Sequence, residues 1–376
     1  MILSQTLLNI QNLKTYFYTY AGIVKALDGI DFKIAEGETV GLVGETGCGK
    51  SVTSLAIMRL VPDPPGRIVD GIVSFKGQDL LKKSEEEMRK IRGSRIAMVF
   101  QDPMTFINPV ISIGDQIGEV IALHQDLASE SLRLDIEDLN SKLNDLGRDS
   151  GEAQEIRSKI HKLEQLRGSP PKISRRRSKK VVLKRTIEVL KLVRMPYPEK
   201  VMKQYPHELS GGMRQRAMIA MALSCKPDLL IADEATTSLD VTIQAQILNL
   251  LNDLKKKLGS SVLMITHDLG IVAEMCDRVI VMYAGVVVEE AETKELFRNP
   301  LHPYTVGLLS AIPRLDQDVD KLEIIPGSVP NLIYPPPGCR FHPRCKFGMI
   351  MCKDERPPMI EVAQGHKVAC YVYGMK

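Results

Sequence analysis

The apolar run Thr39-Val-Gly-Leu-Val43 leads without a break into Gly44-Glu-Thr-Gly-Cys-Gly-Lys-Ser51. This junction limits the possible folds more than any other stretch. A strand must end in a glycine-rich turn, and a helix must begin at Lys50. The composition is that of a phosphate-binding loop. A triphosphate needs several backbone N–H groups at close range, and side chains at Gly44, Gly47 and Gly49 would block its approach. Glu45, Thr46, Cys48 and Val52 complete the stretch expected to touch the nucleotide. The helix N-terminus adds partial positive charge. Lys50 is expected to reach the β- and γ-phosphates, and the Ser51 hydroxyl to ligate Mg²⁺.

Such a loop specifies only a nucleoside triphosphatase. The segment Leu209-Ser-Gly-Gly-Met-Arg-Gln-Arg216, followed by Asp228-Leu-Leu-Ile-Ala-Asp233-Glu234, narrows the class. Ser210 offers a hydroxyl, and Gly211 and Gly212 offer bare N–H groups at a helix start, a second place suited to an anion. The apolar run Leu229 to Ala232 reads as a buried parallel strand ending in two carboxylates. Asp233 is suited to hold Mg²⁺, and Glu234 to act as general base toward water.

These motifs, in this order, resemble the ATP-binding subunits of ABC transporters over nearly the whole chain. The resemblance implies an α/β fold: a P-loop nucleotide-binding domain with a β-rich subdomain, a helical subdomain and a small C-terminal metal-binding domain. It implies that Leu209 to Met213 is the signature that completes the nucleotide site of a partner subunit through Ser210, Gly211 and Gly212. Gln101, in Val99-Phe-Gln-Asp-Pro103, matches the family's glutamine loop, expected at the metal or the water. Ser238-Leu-Asp240 matches the D-loop that crosses to the opposite subunit, and His267, after Val262-Leu-Met-Ile-Thr266, matches the switch histidine. An aromatic should stack on adenine upstream of the loop. Tyr16, Phe17, Tyr18 and Tyr20 compete, and Phe17 is favoured by its distance from Ala26-Leu27. Most relatives carry proline where this chain has Ala235, an absence that could loosen Glu234.

The expected organisation is a core of 1–100 and 207–298, a helical subdomain of 101–206, and a C-terminal extension of 299–376. Leu132, Ile136, Leu139, Leu143 and Leu146 step by 4, 3, 4 and 3, and Ala153, Ile156, Ile160 and Leu163 resume a similar stripe beyond Gly147 to Gly151. The pattern predicts an antiparallel helical hairpin inserted over about 126–168. The basic run Arg175-Arg-Arg-Ser-Lys-Lys180 that follows reads first as a solvated loop, and second as a contact for anionic lipid.

Four of the seven cysteines lie beyond position 338: Cys339, Cys345, Cys352 and Cys370. Such a cluster suits Zn²⁺ or an iron–sulfur cluster. The gaps of five, six and seventeen residues contain no C-x₂-C knuckle, which favours the larger cofactor. Asn299-Pro-Leu-His-Pro-Tyr-Thr305 resembles the opening of the C-terminal extension in oligopeptide and dipeptide importer ATPases. That resemblance implies a [4Fe–4S] cluster at these cysteines, with Zn²⁺ as the alternative. Arg340, Arg344 and Lys346 are expected to offset its charge, and the cluster itself to offer no group to phosphate chemistry.

Net charge is +4, too small to argue for nucleic acid, and the start Met1-Ile-Leu-Ser-Gln5 has no basic leader. No apolar run approaches the roughly 18 to 20 residues that cross a bilayer. A membrane role therefore needs partners. The resemblance implies ATP and Mg²⁺ as cofactors, a homologous second ATPase chain, two membrane-spanning permease subunits and, indirectly, an extracytoplasmic solute-binding protein. It places the chain peripherally on the cytoplasmic face of the membrane, powering uptake of peptides or of related solutes such as oligosaccharides. The rival reading is a soluble ABC ATPase acting on nucleic acid or ribosomes. Such proteins typically carry long coiled-coil insertions or two cassettes, whereas this chain has one cassette and a short hairpin.

Overall fold

The computed structural model describes residues 5–146, 151–235, 240–311 and 325–374. The chain divides into two compact units, Met1–Gln101 with Pro227–Lys376, and Asp102–Lys226.

The first unit holds every strand among the described residues: β1 (Thr6–Thr19), β2 (Gly22–Ala35), β3 (Thr39–Val43), β4 (Gly66–Phe75), β5 (Gln78–Asp79), β6 (Ile96–Val99), β7 (Leu229–Asp233), β8 (Ser261–Ile265), β9 (Arg278–Tyr283), β10 (Val286–Glu292), β11 (Ile360–Ala363) and β12 (His366–Val368). Four of them form a sheet in the order β2-β1-β4-β5, antiparallel throughout. The other eight run β11-β12-β10-β9-β3-β8-β7-β6. From β9 to β6 that sheet is parallel, and β3, β7 and β8 are buried at every residue. Burial on both faces explains why these strands read as unbroken apolar runs. Leu8, Ile10 and Ile30 of the antiparallel sheet share one core with Leu42, Ile231 and Leu263 of the parallel one.

The C-terminal extension is stitched into this unit. β12 pairs antiparallel with β10, aligning Glu289 with Val368, and so lengthens the large sheet. A buried carboxylate fastens the seam: Glu289 accepts from Leu301 N (2.7 Å) and His302 N (2.9 Å) and pairs with His366 Nε2 at 2.8 Å. The expected separate small domain is thus an outgrowth of the core sheet.

The second unit is helical. Asp126 caps Leu127–Asp145 by accepting from Ala128 N and Ser129 N. That helix packs on Gly151–Gln165, with Leu132, Ile136, Ala153 and Ile156 buried and Leu139, Leu143, Ile160 and Leu163 half-buried. The break between the two arms lies largely outside the described residues. The basic run corrects the expectation of a loop. Ser174 caps a helix, Arg175–Leu192, which opens with that run. Arg177 pairs with Asp135, Lys184 with Asp138 and Arg133 with Glu188, so this third helix lies along the first arm of the hairpin. The core also resumes later than expected: 207–226, including helix Gly211–Leu223, belongs to the helical unit.

Candidate active site

Parallel strands deliver their C-terminal ends to one edge of a sheet, where α/β proteins place ligands. Here β3 ends at the phosphate-binding loop, β6 before Gln101, β7 at Asp233 and β8 before His267. These ends border a cleft of about 1010 Å³, ample for a nucleotide. Gly44, Glu45, Thr46, Gly47, Gly49, Lys50, Ser51 and Val52 line it, with Gln101, Glu234 and His267. Phe17 lines it too. Of its competitors, Tyr16 donates its hydroxyl to Asp28 at 2.8 Å, and Tyr18 and Tyr20 are exposed.

Two of the loop glycines are required for a further reason besides the expected one. A Cβ on Gly44 (φ +154°) would come within 2.2 Å of the Met282 carbonyl oxygen. One on Gly49 (φ +105°) would come within 2.7 Å of the Ala26 carbonyl oxygen. The protein's own backbone excludes side chains at these two positions, whatever the nucleotide requires. Cys48 is buried beneath the loop and does not line the cleft. Lys50 is itself buried, its Nζ donating to the Gly44 (2.7 Å) and Glu45 (3.1 Å) carbonyl oxygens.

Asp233 sits behind the loop. It accepts from Ser51 Oγ at 3.1 Å and from Ser54 Oγ at 3.2 Å. Burial pushes its carboxyl above the usual range, against the pull of those hydroxyls. Ser51 and Asp233 together offer the hard oxygen ligands that Mg²⁺ takes. Ser54 was missed in the sequence, although it lies one turn beyond Ser51 on the same helical face.

Glu234 follows with φ +47°, a left-handed backbone that a non-glycine residue adopts at a cost. Three contacts hold it there. Its N–H donates to the Ile265 carbonyl (2.8 Å), Gln101 Nε2 donates to Oε2 (2.8 Å), and His267 Nδ1 lies 3.3 Å from Oε1. Ala235, which follows Glu234, is buried. A carboxylate so oriented at a cleft wall can accept a proton from water.

Ser210 caps helix Gly211–Leu223 in the helical unit, its Oγ accepting from Met213 N at 3.4 Å. Ser210 and Gly211 are exposed. Asp240 caps Val241–Leu258 by accepting from Ile243 N at 2.9 Å. Ser238 and Leu239 of the D-loop lie outside the described residues.

The tail reaches this site. Leu308 and Leu332 line the cleft. The Glu45 N–H donates to the Tyr304 hydroxyl at 2.7 Å, and Arg344 forms an ion pair with the Glu45 carboxylate at 2.7 Å. No sequence signal announces a contact spanning 299 positions. Nor is Arg340 aimed at the cysteines. Its guanidinium pairs with Asp28 at 2.5 Å and donates to the Ala284 carbonyl oxygen.

Cys339, Cys345, Cys352 and Cys370 converge on one small enclosed pocket with Phe341, Phe347 and Tyr371. All four are free thiols, and burial pushes that of Cys339 up to about 11. Among the described residues, no group of three or more His, Cys, Asp or Glu side chains is placed to hold a metal ion.

A family model described as ABC transporter matches residues 27–237, and one described as the C-terminal region of oligopeptide/dipeptide transporters matches 288–352. The chain is 46% identical to the oligopeptide transport ATP-binding protein AppD of Bacillus subtilis (strain 168), over 98% of this chain and 97% of that protein. It is 43% identical to the dipeptide transport ATP-binding protein DppD of the same organism, over 98% and 95%. The dimeric structure of MJ0796, a bacterial ABC transporter cassette, superposes with a TM-score of 0.55 at 25% identity, covering 76% of this chain and 99% of that one.

Proposed function

Because the chain belongs to the ABC transporter family, as an ATP-hydrolysing subunit, we propose that it powers uptake of peptides through a membrane importer. One observation carries the chemical part. The groups needed for hydrolysis stand at the ends of four parallel strands around a single cleft. The substrate class is inferred from relatives named for oligopeptide and dipeptide transport. The match to the C-terminal region of oligopeptide/dipeptide transporters supports it over the reading as an ATPase of nucleic acid or ribosomes.

In the proposed mechanism, the loop amides and Lys50 bind the triphosphate of ATP, and Phe17 stacks on the base. Mg²⁺, held by Ser51, Asp233 and Gln101, would neutralise phosphate charge. Glu234 takes a proton from the attacking water, which Gln101 contacts, while the water oxygen bonds to the γ-phosphorus and the bond to the ADP oxygen breaks; His267 contacts the γ-phosphate. Ser210, Gly211 and Gly212, with Asp240, complete the site of a second, homologous subunit. Closure of the pair would then move two permease subunits, with substrate delivered by an extracytoplasmic binding protein. Among the described residues no helix is long and apolar enough to cross a membrane. That agrees with a peripheral place on the cytoplasmic face, reached through those partners.

The four cysteines are assigned to a [4Fe–4S] cluster. Their convergence on one apolar pocket, and the resemblance of the tail to that of oligopeptide and dipeptide importer ATPases, support this reading, with Zn²⁺ as the alternative. Anaerobically purified chain should carry four irons, with absorption near ~400 nm. One zinc and no iron would leave only the ligand set standing. For transport, ATPase activity of the assembled importer in vesicles should rise with peptide-loaded binding protein. Stimulation by oligosaccharide alone would move the substrate class.

A further inference from the structure

We propose that Arg344, in the C-terminal extension, is a positioning residue of the nucleotide site: it fixes the Glu45 side chain and cancels its charge, so that ATP affinity depends on the tail. Arg344 Nη1 donates to Glu45 Oε2 at 2.7 Å and Nη2 to Oε1 at 3.1 Å, a bidentate fork. The Arg344 side chain is only 7% exposed. Its Nε donates to the Pro326 carbonyl at 2.9 Å, Nη2 to that of Ile325 at 3.3 Å, and Nη1 to the Tyr283 hydroxyl at 3.3 Å. The guanidinium carbon lies 5.7 Å from the centre of the Tyr283 ring and 5.9 Å from that of Phe341. A surface ion pair is not supported on this many sides, and its contribution would be small. The hydrogen bond to Glu45 holds the guanidinium above its ordinary pKa.

Glu45 needs such support. It is the first residue after Gly44 in a loop whose glycines leave the backbone permissive. The tail grips it twice, at the N–H through Tyr304 and at the carboxylate through Arg344, while Lys50 takes its carbonyl. Glu45 also lines the cleft. An unpaired carboxylate there would stand beside a polyanionic triphosphate. Repulsion of that kind at a cleft edge is worth on the order of tenfold in affinity. With Arg344 in place the pair is neutral. Arg344 is carried on the cysteine module, one peptide bond from Cys345, so the module bears directly on the phosphate-binding loop.

The inference rests on ATP binding at this loop. Wild type that bound no ATP would sink that reading, whereas only the variants bear on Arg344. Binding of a fluorescent ATP analogue to the full chain, with thermal unfolding in parallel, is the test. Arg344→Ala should bind about tenfold more weakly than wild type. Adding Glu45→Gln should recover most of that loss, because the unpaired charge is then gone. A merely structural role would leave the double variant as weak as the single one. Should Arg344→Ala fail to fold, Arg344→Met keeps the stem against Tyr283 and Phe341 and serves the same pair of measurements. Arg344 variants that bind within twofold of wild type, or no recovery with Glu45→Gln, overturn the proposal.

Discussion

The strand-end rim and the four-cysteine tail belong to one compact unit but are built by opposite means. At the rim, the burial of β3, β7 and β8 fixes where Lys50, Glu234 and His267 emerge, and side-chain contacts only adjust them. In the tail, short turns and a two-strand hairpin carry the cysteines. Polar pairs of long range hold it: Arg340 and Arg356 to Asp28, Arg344 to Glu45, and His366 to Glu289. The rim should therefore lose chemistry without losing fold. The tail, with little apolar core of its own, should lose fold when its polar groups are disturbed.

The largest effect expected from this contrast lies at Glu234. Glu234→Gln removes a proton acceptor but keeps the size and the contacts to Gln101 and His267. Turnover should fall about 10²- to 10⁴-fold, with ATP affinity and melting temperature near those of wild type. Lys50→Ala should instead lose ATP binding. Phosphate release and equilibrium binding on both variants separate the two roles. Undiminished turnover in Glu234→Gln would remove it as the base.

The same contrast explains what could be read from the sequence. The rim was legible because each of its residues follows a local signal, an apolar run ending in a polar group. Phe17 was reached by counting back from Ala26-Leu27 on β2, across the turn to β1. The seam residues Leu132, Ile136, Ala153 and Ile156 were legible through their periodicity. The tail's attachments were not. Arg340 and Arg344 were expected to face the cysteines beside them, but an arginine's reach lets it serve a partner hundreds of positions away. Nor could composition tell that Arg175 to Lys180 begins a helix, since three arginines in a first turn oppose the helix dipole. The Ser174 cap and the pairing of Arg177 with Asp135 overcome that local cost.

A smaller effect should appear in the tail as acid sensitivity. His302 is fully buried, and burial lowers its pKa from 6.5 to about 3. Its Nδ1 accepts from Tyr304 N at 3.1 Å, which requires the neutral ring. The folded pKa is depressed below the unfolded one. The unfolded chain therefore takes up a proton first as pH falls below about 6.5. Stability supplied by the neutral histidine is complete above that pH and is lost progressively down to about 3. At pH 5 the loss is about 2 kcal/mol. His302→Asn retains a capping acceptor and should flatten this slope in urea unfolding between pH 7 and 5. A slope unchanged in the variant would mean that the acid sensitivity arises elsewhere.

The smallest effect tests a second contact at Glu45, where the two regions meet. Tyr304 is fully buried, and its hydroxyl accepts the Glu45 N–H from the phosphate-binding loop. Burial raises its pKa, so it stays a neutral phenol across the working range. Tyr304→Phe keeps the ring against Tyr283 and Phe341 but leaves that N–H without its acceptor. A lost neutral hydrogen bond of this kind costs about 1 kcal/mol. If rim and tail were independent, that loss would appear only as a small fall in melting temperature. Because the bond ends on a residue that lines the cleft, we expect ATP affinity to fall as well, by about two- to fivefold. Melting curves measured with and without ATP and Mg²⁺ distinguish the outcomes. A smaller nucleotide-induced rise in Tyr304→Phe than in wild type joins the two regions, and an equal rise separates them.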